Sequence, residues 1–192
     1  MMATAYIPFF YIQDYALKLS LDTESAFSLL SIMNASSLLG RLAPNYLADR
    51  FGGVNIMLPC CLLSSLVIFL FPLAVEKSSL IAISVVYGFI SGGMVSLPAP
   101  IIAALTSDVG ELGARMGMAY SIAAFGGLVG SPVAGAAKRD ATVGVSGGAV
   151  DDVRREFWGV WFVGGGGMLL ATAFLALTRW LRVSRWSWTL RI

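Results

Sequence analysis

The sequence predicts an all-α membrane protein built as a six-helix transmembrane bundle, and three observations carry that prediction. Charge is confined to short clusters, so that residues 53–75, 78–107, 116–137 and 157–178 contain none. Each of these stretches reaches the roughly 20 residues that a helix needs to cross a hydrocarbon layer about 30 Å thick. Hydrophobic residues make up 57% of the chain and charged residues 12%, and mean hydropathy is +0.80, well away from globular composition. Finally, all seven prolines (Pro8, Pro44, Pro59, Pro72, Pro98, Pro100, Pro132) fall inside or at the ends of apolar elements. Membrane helices tolerate this, because neighbouring helices and Ser/Thr hydroxyls take up the carbonyls that proline frees.

Six hydrophobic elements follow in order. The first, 1–17, is short for a full span, and it lacks the basic start and small-residue cleavage site of a signal peptide. A polar connection, 18–24, precedes the second element, 25–47, and Asp22-Thr23 offers a helix start. The third, 53–75, is closed by Glu76-Lys77, and the fourth, 79–105, by Asp108, Gly110 and Glu111. Pro98 and Pro100 predict the sharpest kink. The fifth covers 115–137 and the sixth 157–178, separated by 138–156, a polar, glycine-containing stretch read as the one long loop. The transmembrane domain is thus 1–178. Residues 179–192 form a tail in which Arg179, Arg182, Arg185 and Arg191 alternate with Trp180, Trp186 and Trp188. Arginines beside interfacial tryptophans suit an anionic cytoplasmic leaflet, which places the tail on the cytoplasmic side.

Composition also excludes function classes. Net charge is +2 and histidine is absent, so no nucleic-acid partner, no metal, no cofactor and no enzyme activity is expected. Cys60 and Cys61 are adjacent within an apolar span, poorly placed for a disulfide, and read as small apolar packers. Lipid gives helices no hydrophobic drive to pair, so small residues at four-residue spacing are expected to hold the bundle. Gly88 and Gly92, Gly113 and Gly117, and Gly126 and Gly130 have that spacing.

The most specific segment is Gly40-Arg41-Leu42-Ala43-Pro44-Asn45-Tyr46-Leu47-Ala48-Asp49-Arg50-Phe51-Gly52-Gly53, a very tight turn between two spans. An Asp at such a helix end can accept hydrogen bonds from a neighbouring helix N-terminus and pair with an Arg, a clasp made in one conformation and broken in another. The segment resembles the signature that the major facilitator superfamily places between its second and third helices and repeats between its eighth and ninth. Tyr87-Gly88-Phe89-Ile90-Ser91-Gly92-Gly93, the stretch 108–117 with Arg115-Met116-Gly117, and Gly126-Gly127-Leu128-Val129-Gly130-Ser131-Pro132-Val133-Ala134-Gly135 are similar to helices ten and eleven of its monocarboxylate-transporter-like branch. Tyr6-Ile7-Pro8-Phe9-Phe10-Tyr11 resembles the later part of helix seven. The fungal members of that branch are the nearest likeness.

The resemblance covers nearly the whole chain. It implies the C-terminal six-helix half of such a transporter, with a truncated first helix and a missing N-terminal half. It further implies a small organic anion, of monocarboxylate type and possibly moved with a proton, as substrate, and the lipid bilayer as surroundings. Two departures stand out: Gly52-Gly53 is not followed by the basic residues many members carry, and Ser37 replaces the Asp that animal members place one turn before Arg41. The paired Asp–Arg arrangement is therefore incomplete.

Arg41 is the leading substrate-binding candidate. It lies two turns before Asp49, about 12 Å deeper along the helix, where a guanidinium normally faces the bundle interior or a water-filled path. The other reading is that it snorkels to the surface and joins the Asp49 clasp. Asn34, Tyr87 and Tyr120 are polar groups within spans that line a cavity or hydrogen-bond between helices. Gly40, Asp49, Arg50, Gly52 and Arg115 are assigned to the conformational motif; Asp108 and Glu111 either pair with Arg50 or Arg115 or stand as ordinary solvated loop charge. Gly88, Gly92, Gly126, Gly130, Pro132 and Gly135 are assigned to helix packing. Gln13 and Asp14 read as helix-end residues. The expected function is alternating-access transport, with the chain inactive alone. The alternative is a truncated, non-transporting membrane protein or a packing or regulatory partner of a full-length transporter.

Overall fold

Every apolar block becomes helix. The computed structural model describes residues 1–138 and 149–183, and among these no strand occurs. The helices are α1 (Met2–Ala5), α2 (Ile7–Lys18), α3 (Thr23–Phe51), α4 (Gly53–Leu70) with a 3₁₀ turn at Phe71–Leu73, α5 (Lys77–Ser96), α6 (Pro98–Ala104), α7 (Val109–Ala136) and α8 (Ala149–Val183). Among the described residues, five spans are long and apolar enough to cross a membrane: Thr23–Phe51, Gly53–Leu73, Lys77–Ala104, Val109–Ala136 and Val150–Leu181.

The first predicted element is the exception. It forms α1 and α2, broken at Tyr6 just before Pro8, whose ring fixes φ and offers no N–H to the preceding turn. At 1.5 Å per residue the pair extends only about 25 Å. Proline also divides the fourth element, where α5 ends at Ser96 and α6 begins at Pro98. Pro44, Pro59 and Pro132 remain inside their helices.

Two helices start earlier than their charge patterns indicate. α7 begins at Val109, where the Asp108 carboxylate caps it by accepting from the Gly110 N–H at 2.8 Å. α8 begins at Ala149, so the second part of the polar stretch 138–156 is helix, not loop. Asp151 and Asp152 in its first turn complement the positive end of the helix dipole. At its far end α8 runs to Val183, so the helix extends into the tail; Arg185, Trp186, Trp188 and Arg191 lie outside the described residues.

The core lies where α2, α3, α5 and α8 converge. Trp161 stacks on Phe71 at 4.6 Å between centroids and meets Tyr15 edge-on at 5.7 Å, with Phe157, Ile7 and Leu80 enclosed around them. A smaller cluster joins Met57, Cys61, Met94, Leu97 and Met168; both cysteines are free thiols. The outward face of α8 carries Phe162, Leu170, Phe174, Leu177 and Trp180, all exposed. Apolar outside and inside alike is what a helix needs when its outer solvent is lipid.

Candidate functional site

The candidate site is built on α3, the helix most tightly held by another. At its crossing with α5, backbones touch: a Cβ on Gly40 would run into the Phe89 carbonyl, one on Gly88 into the Met33 carbonyl, and one on Gly92 into the Ser37 carbonyl. Glycine removes the side chains that would hold the helices apart, and dispersion between backbones takes their place. Gly40, assigned from sequence to the conformational motif, therefore sits in the packing seam as well.

Directly beside that seam on α3, Asn34, Ser37 and Arg41 line a groove of about 320 Å³ closed by Tyr6, Phe9 and Gln13 on one side and Ser91 and Val95 on the other. Its serine hydroxyls are occupied locally, Ser37 Oγ donating to the Asn34 carbonyl at 2.8 Å and Ser91 Oγ to the Gly88 carbonyl at 3.0 Å. The Asn34 amide likewise donates to the Leu30 carbonyl at 3.0 Å. Arg41 is different. It is exposed to the groove and makes no ion pair or hydrogen bond among the described residues. A guanidinium with five donors and no acceptor is chemically suited to a planar oxyanion.

The other two tyrosine candidates do not join this groove. Tyr87 is completely buried, and its hydroxyl donates to the Ala5 carbonyl at 2.6 Å, at the break between α1 and α2. It is a hydrogen-bonding core residue rather than a cavity wall. Tyr120 lies on the exposed side of α7, away from the groove lining. Gln13, by contrast, read from sequence as a helix-end residue, lines the groove. A polar side chain near the end of an apolar element was the available signal.

Nor does this conformation join the predicted clasp. Gly52 makes the turn with φ 91° and ψ 137°, a region open essentially to glycine alone, and its N–H bonds the Ala48 carbonyl at 2.8 Å. Asp49 and Arg50 are exposed; Arg50 lies over the Tyr46 ring at 4.8 Å, and Asp49 has no ion pair among the described residues. Arg115 pairs with Glu111 one turn away at 2.8 Å. A partner on the same helix costs no loop closure, which is why the local pair forms.

The packing residues of α7 divide. Gly130 rests on the Ala3 carbonyl and Gly126 makes ordinary contact with Ala3. Gly135 leaves room for the Tyr11 hydroxyl, which donates to the Ser131 carbonyl at 2.9 Å, next to Pro132. Gly113 and Gly117 have nothing within 4 Å of a would-be Cβ, so their spacing builds no contact among the described residues.

At the opposite end from Asp49, four charges interlock. Glu156, only 5% exposed, receives Lys18 at 2.5 Å and Lys138 at 3.3 Å, and Lys138 also reaches Asp14 at 2.5 Å. Asp14 is thus part of a tertiary ion cluster and not a simple helix-end residue. For Lys138, burial pulls the pKa down, but hydrogen bonds and charge from Asp14 and Glu156 outweigh it and leave the pKa above the ordinary lysine value. Nearby, Lys77 donates to Ser25 Oγ at 2.6 Å, and Ser25 donates to Asp22 at 2.9 Å. That hydroxyl, first among several donors, holds the Asp22 carboxyl below the ordinary range.

Comparison with known proteins places this architecture. Over 128 residues, 66% of this chain and 29% of the other protein, the chain is 38% identical to "MFS-type transporter dbaD" of Emericella nidulans. It is 37% identical to "Agnestins efflux protein AgnL12" of Paecilomyces divaricatus over 67% of this chain and 29% of that protein. Against "MFS-type transporter opdF" of Penicillium oxalicum, 35% identity extends over 188 residues, 97% of this chain and 41% of the relative. The chain therefore spans well under half the length of these curated relatives. No family model matches the chain, and no solved structure does. With five apolar helices of spanning length and fungal MFS-type transporters as relatives, the chain is an integral, multi-pass membrane protein.

Proposed function

We propose that this chain is one six-helix half of a major-facilitator transporter, moving a small organic anion of monocarboxylate type by alternating access, with Arg41 as the anion's anchor. The observation that carries this reading is the placement of Arg41, deep on α3, facing a groove and unmatched by any carboxylate among the described residues. An unpaired guanidinium at membrane depth is costly, and a carboxylate answers it with two parallel hydrogen bonds. Because Ser37 stands where a neighbouring carboxylate would sit, the cargo itself neutralises Arg41. The names of the relatives support transport as the activity, and the agnestins protein supports export as its direction.

The other wall of the path belongs to an N-terminal half, against which this bundle rocks. The test uses the chain fused to the N-terminal half of one of these relatives, with flux of a radiolabelled monocarboxylate across cell or liposome membranes as the readout. Arg41→Ala is expected to lower flux by roughly tenfold or more, the worth of one lost charge-assisted contact, with Arg41→Lys in between. Undiminished flux in Arg41→Ala would remove the anchor. Vigorous uptake by liposomes holding only this chain as a monomer would remove the half-transporter reading.

A further inference from the structure

The Arg41 groove carries a second kind of chemistry beside its guanidinium. Tyr6, Phe9 and Phe10 contribute three aromatic rings to its wall, from the break between α1 and α2 and the first turn of α2. Tyr6 and Phe9 lie 6.0 Å apart between ring centroids, and Phe9 meets the buried Tyr87 ring at 6.0 Å as well. Phe10 is 63% exposed and Tyr6 39%, so both leave ring surface uncovered.

Connectivity sets the order along the groove. α2 ends at Lys18 and α3 begins at Thr23, and so short a turn makes the two helices run antiparallel. Gln13, near the end of α2, is therefore level with the early part of α3. Arg41 lies eleven residues beyond Leu30, which also lines the groove, or about 16 Å along the axis. Phe10, Phe9 and Tyr6 follow Gln13 back along α2 toward the depth of Arg41. An aromatic stripe alone faces lipid as readily as a path. Here it is bracketed by Gln13, with no side-chain hydrogen bond among the described residues, and by the unpaired Arg41. Polar side chains at membrane depth turn to the bundle interior or a water-filled cavity, and the rings share that groove.

We propose that Tyr6, Phe9 and Phe10 select the cargo: a monocarboxylate bearing an aromatic ring, its carboxylate on Arg41 and its ring against these three side chains. The inference rests on Arg41 as the anion's anchor and adds the specificity. A short aliphatic acid answers the guanidinium and leaves the rings uncovered. An uncharged aromatic compound covers the rings and leaves the guanidinium unmatched. Aromatic rings discriminate beyond buried area, because their negative faces and positive edges favour offset or edge-on ring partners.

The experiment uses the chain fused to a relative's N-terminal half and measures half-saturating concentrations for labelled 3-phenylpropanoate and propanoate, counting only the flux lost in Arg41→Ala. The two acids share carboxylate and chain and differ by the ring. 3-Phenylpropanoate is expected to half-saturate at about a tenth of the propanoate concentration. Phe10→Ala should shrink that ratio about threefold, within the range of one aromatic contact, and Phe10→Tyr should keep it. Phe9→Leu, which keeps apolar volume against Tyr87, gives a second reading of the ratio and is expected to shrink it as well. A ratio near one, with Arg41-dependent flux intact, overturns the aromatic selection and leaves the anchor standing. A ratio that survives both Phe10→Ala and Phe9→Leu assigns the preference to the fused half and overturns it too. Flux of both acids indifferent to Arg41→Ala removes the anchor, and the aromatic selection falls with it.

Discussion

Gly40 on α3 lies directly against the carbonyl of Phe89 on α5, with no room between them for even a methyl group. This contact sits one residue from Arg41, so the backbone that carries the guanidinium is fixed at a crossing where two helix backbones touch. A binding group gains precision when the element that carries it cannot shift.

Gly40→Ala should force α3 and α5 apart and cost about 1–3 kcal/mol, the usual penalty for overpacking. Gly117→Ala is the control, because open space surrounds that position. There the lost backbone entropy of glycine is relieved and helix stability should rise by about 0.5–1 kcal/mol. Reversible unfolding in mixed micelles reads both. Equal effects at the two positions would contradict the close-crossing account.

Gly52→Ala should cost about 1–3 kcal/mol, because φ 91° with ψ 137° strains any residue with a Cβ. Asn55→Ala, in the first turn beyond, removes one side-chain bond to the Phe51 carbonyl and should cost less. The ranking of the two variants in an unfolding titration checks the point.

Tyr87→Phe deletes the hydroxyl that supports the Ala5 carbonyl while keeping the ring in the core. A loss of about 0.5–1.5 kcal/mol is expected. Because Tyr87 is outside the Arg41 groove, the substrate concentration giving half-maximal flux in the fused transporter should stay unchanged. A shift in that concentration would return Tyr87 to the binding site.

Glu156→Gln should leave Lys138 with Asp14 alone and Lys18 without its ion-pair partner among the described residues, at a cost of about 1–3 kcal/mol, moderated because Lys18 is 41% exposed. The pH sign follows from Lys138. Its folded pKa is raised above the unfolded value of 10.5, so its stabilisation is complete below that value and disappears as pH rises through the folded pKa. The stability gap between the parent chain and Lys138→Met should therefore be flat from pH 7 to pH 9 and narrow only above 10.5. A gap that narrows at neutral pH would assign the cluster's contribution to another group.

The sequence alone determined the solvent of this protein. Uncharged blocks of about 20 residues leave helices in lipid as the structure that satisfies every backbone N–H and C=O, and their helical state needs no knowledge of neighbours. It also determined the turn at Gly52, through a constraint carried by one residue, but not which prolines break a helix, since Pro8 and Pro98 stand at breaks while Pro44, Pro59 and Pro132 stay inside helices. Charge misplaced the starts of α7 and α8, because a helix dipole welcomes the acidic residues that otherwise look like loop.

Only the tertiary structure decided which polar groups meet. Nothing near Asp14 in the chain indicates that Lys138, 124 residues away, will reach it, or that Tyr87 spends its hydroxyl on Ala5 while Arg41 has no hydrogen-bond partner among the described residues. Glycine spacing likewise does not tell Gly88, pressed on a carbonyl, from Gly117, facing open space. The physical reason is that lipid makes every apolar face equally acceptable, so the choice of neighbours is left to shape and to buried polar partners, and both exist only once the helices are packed together.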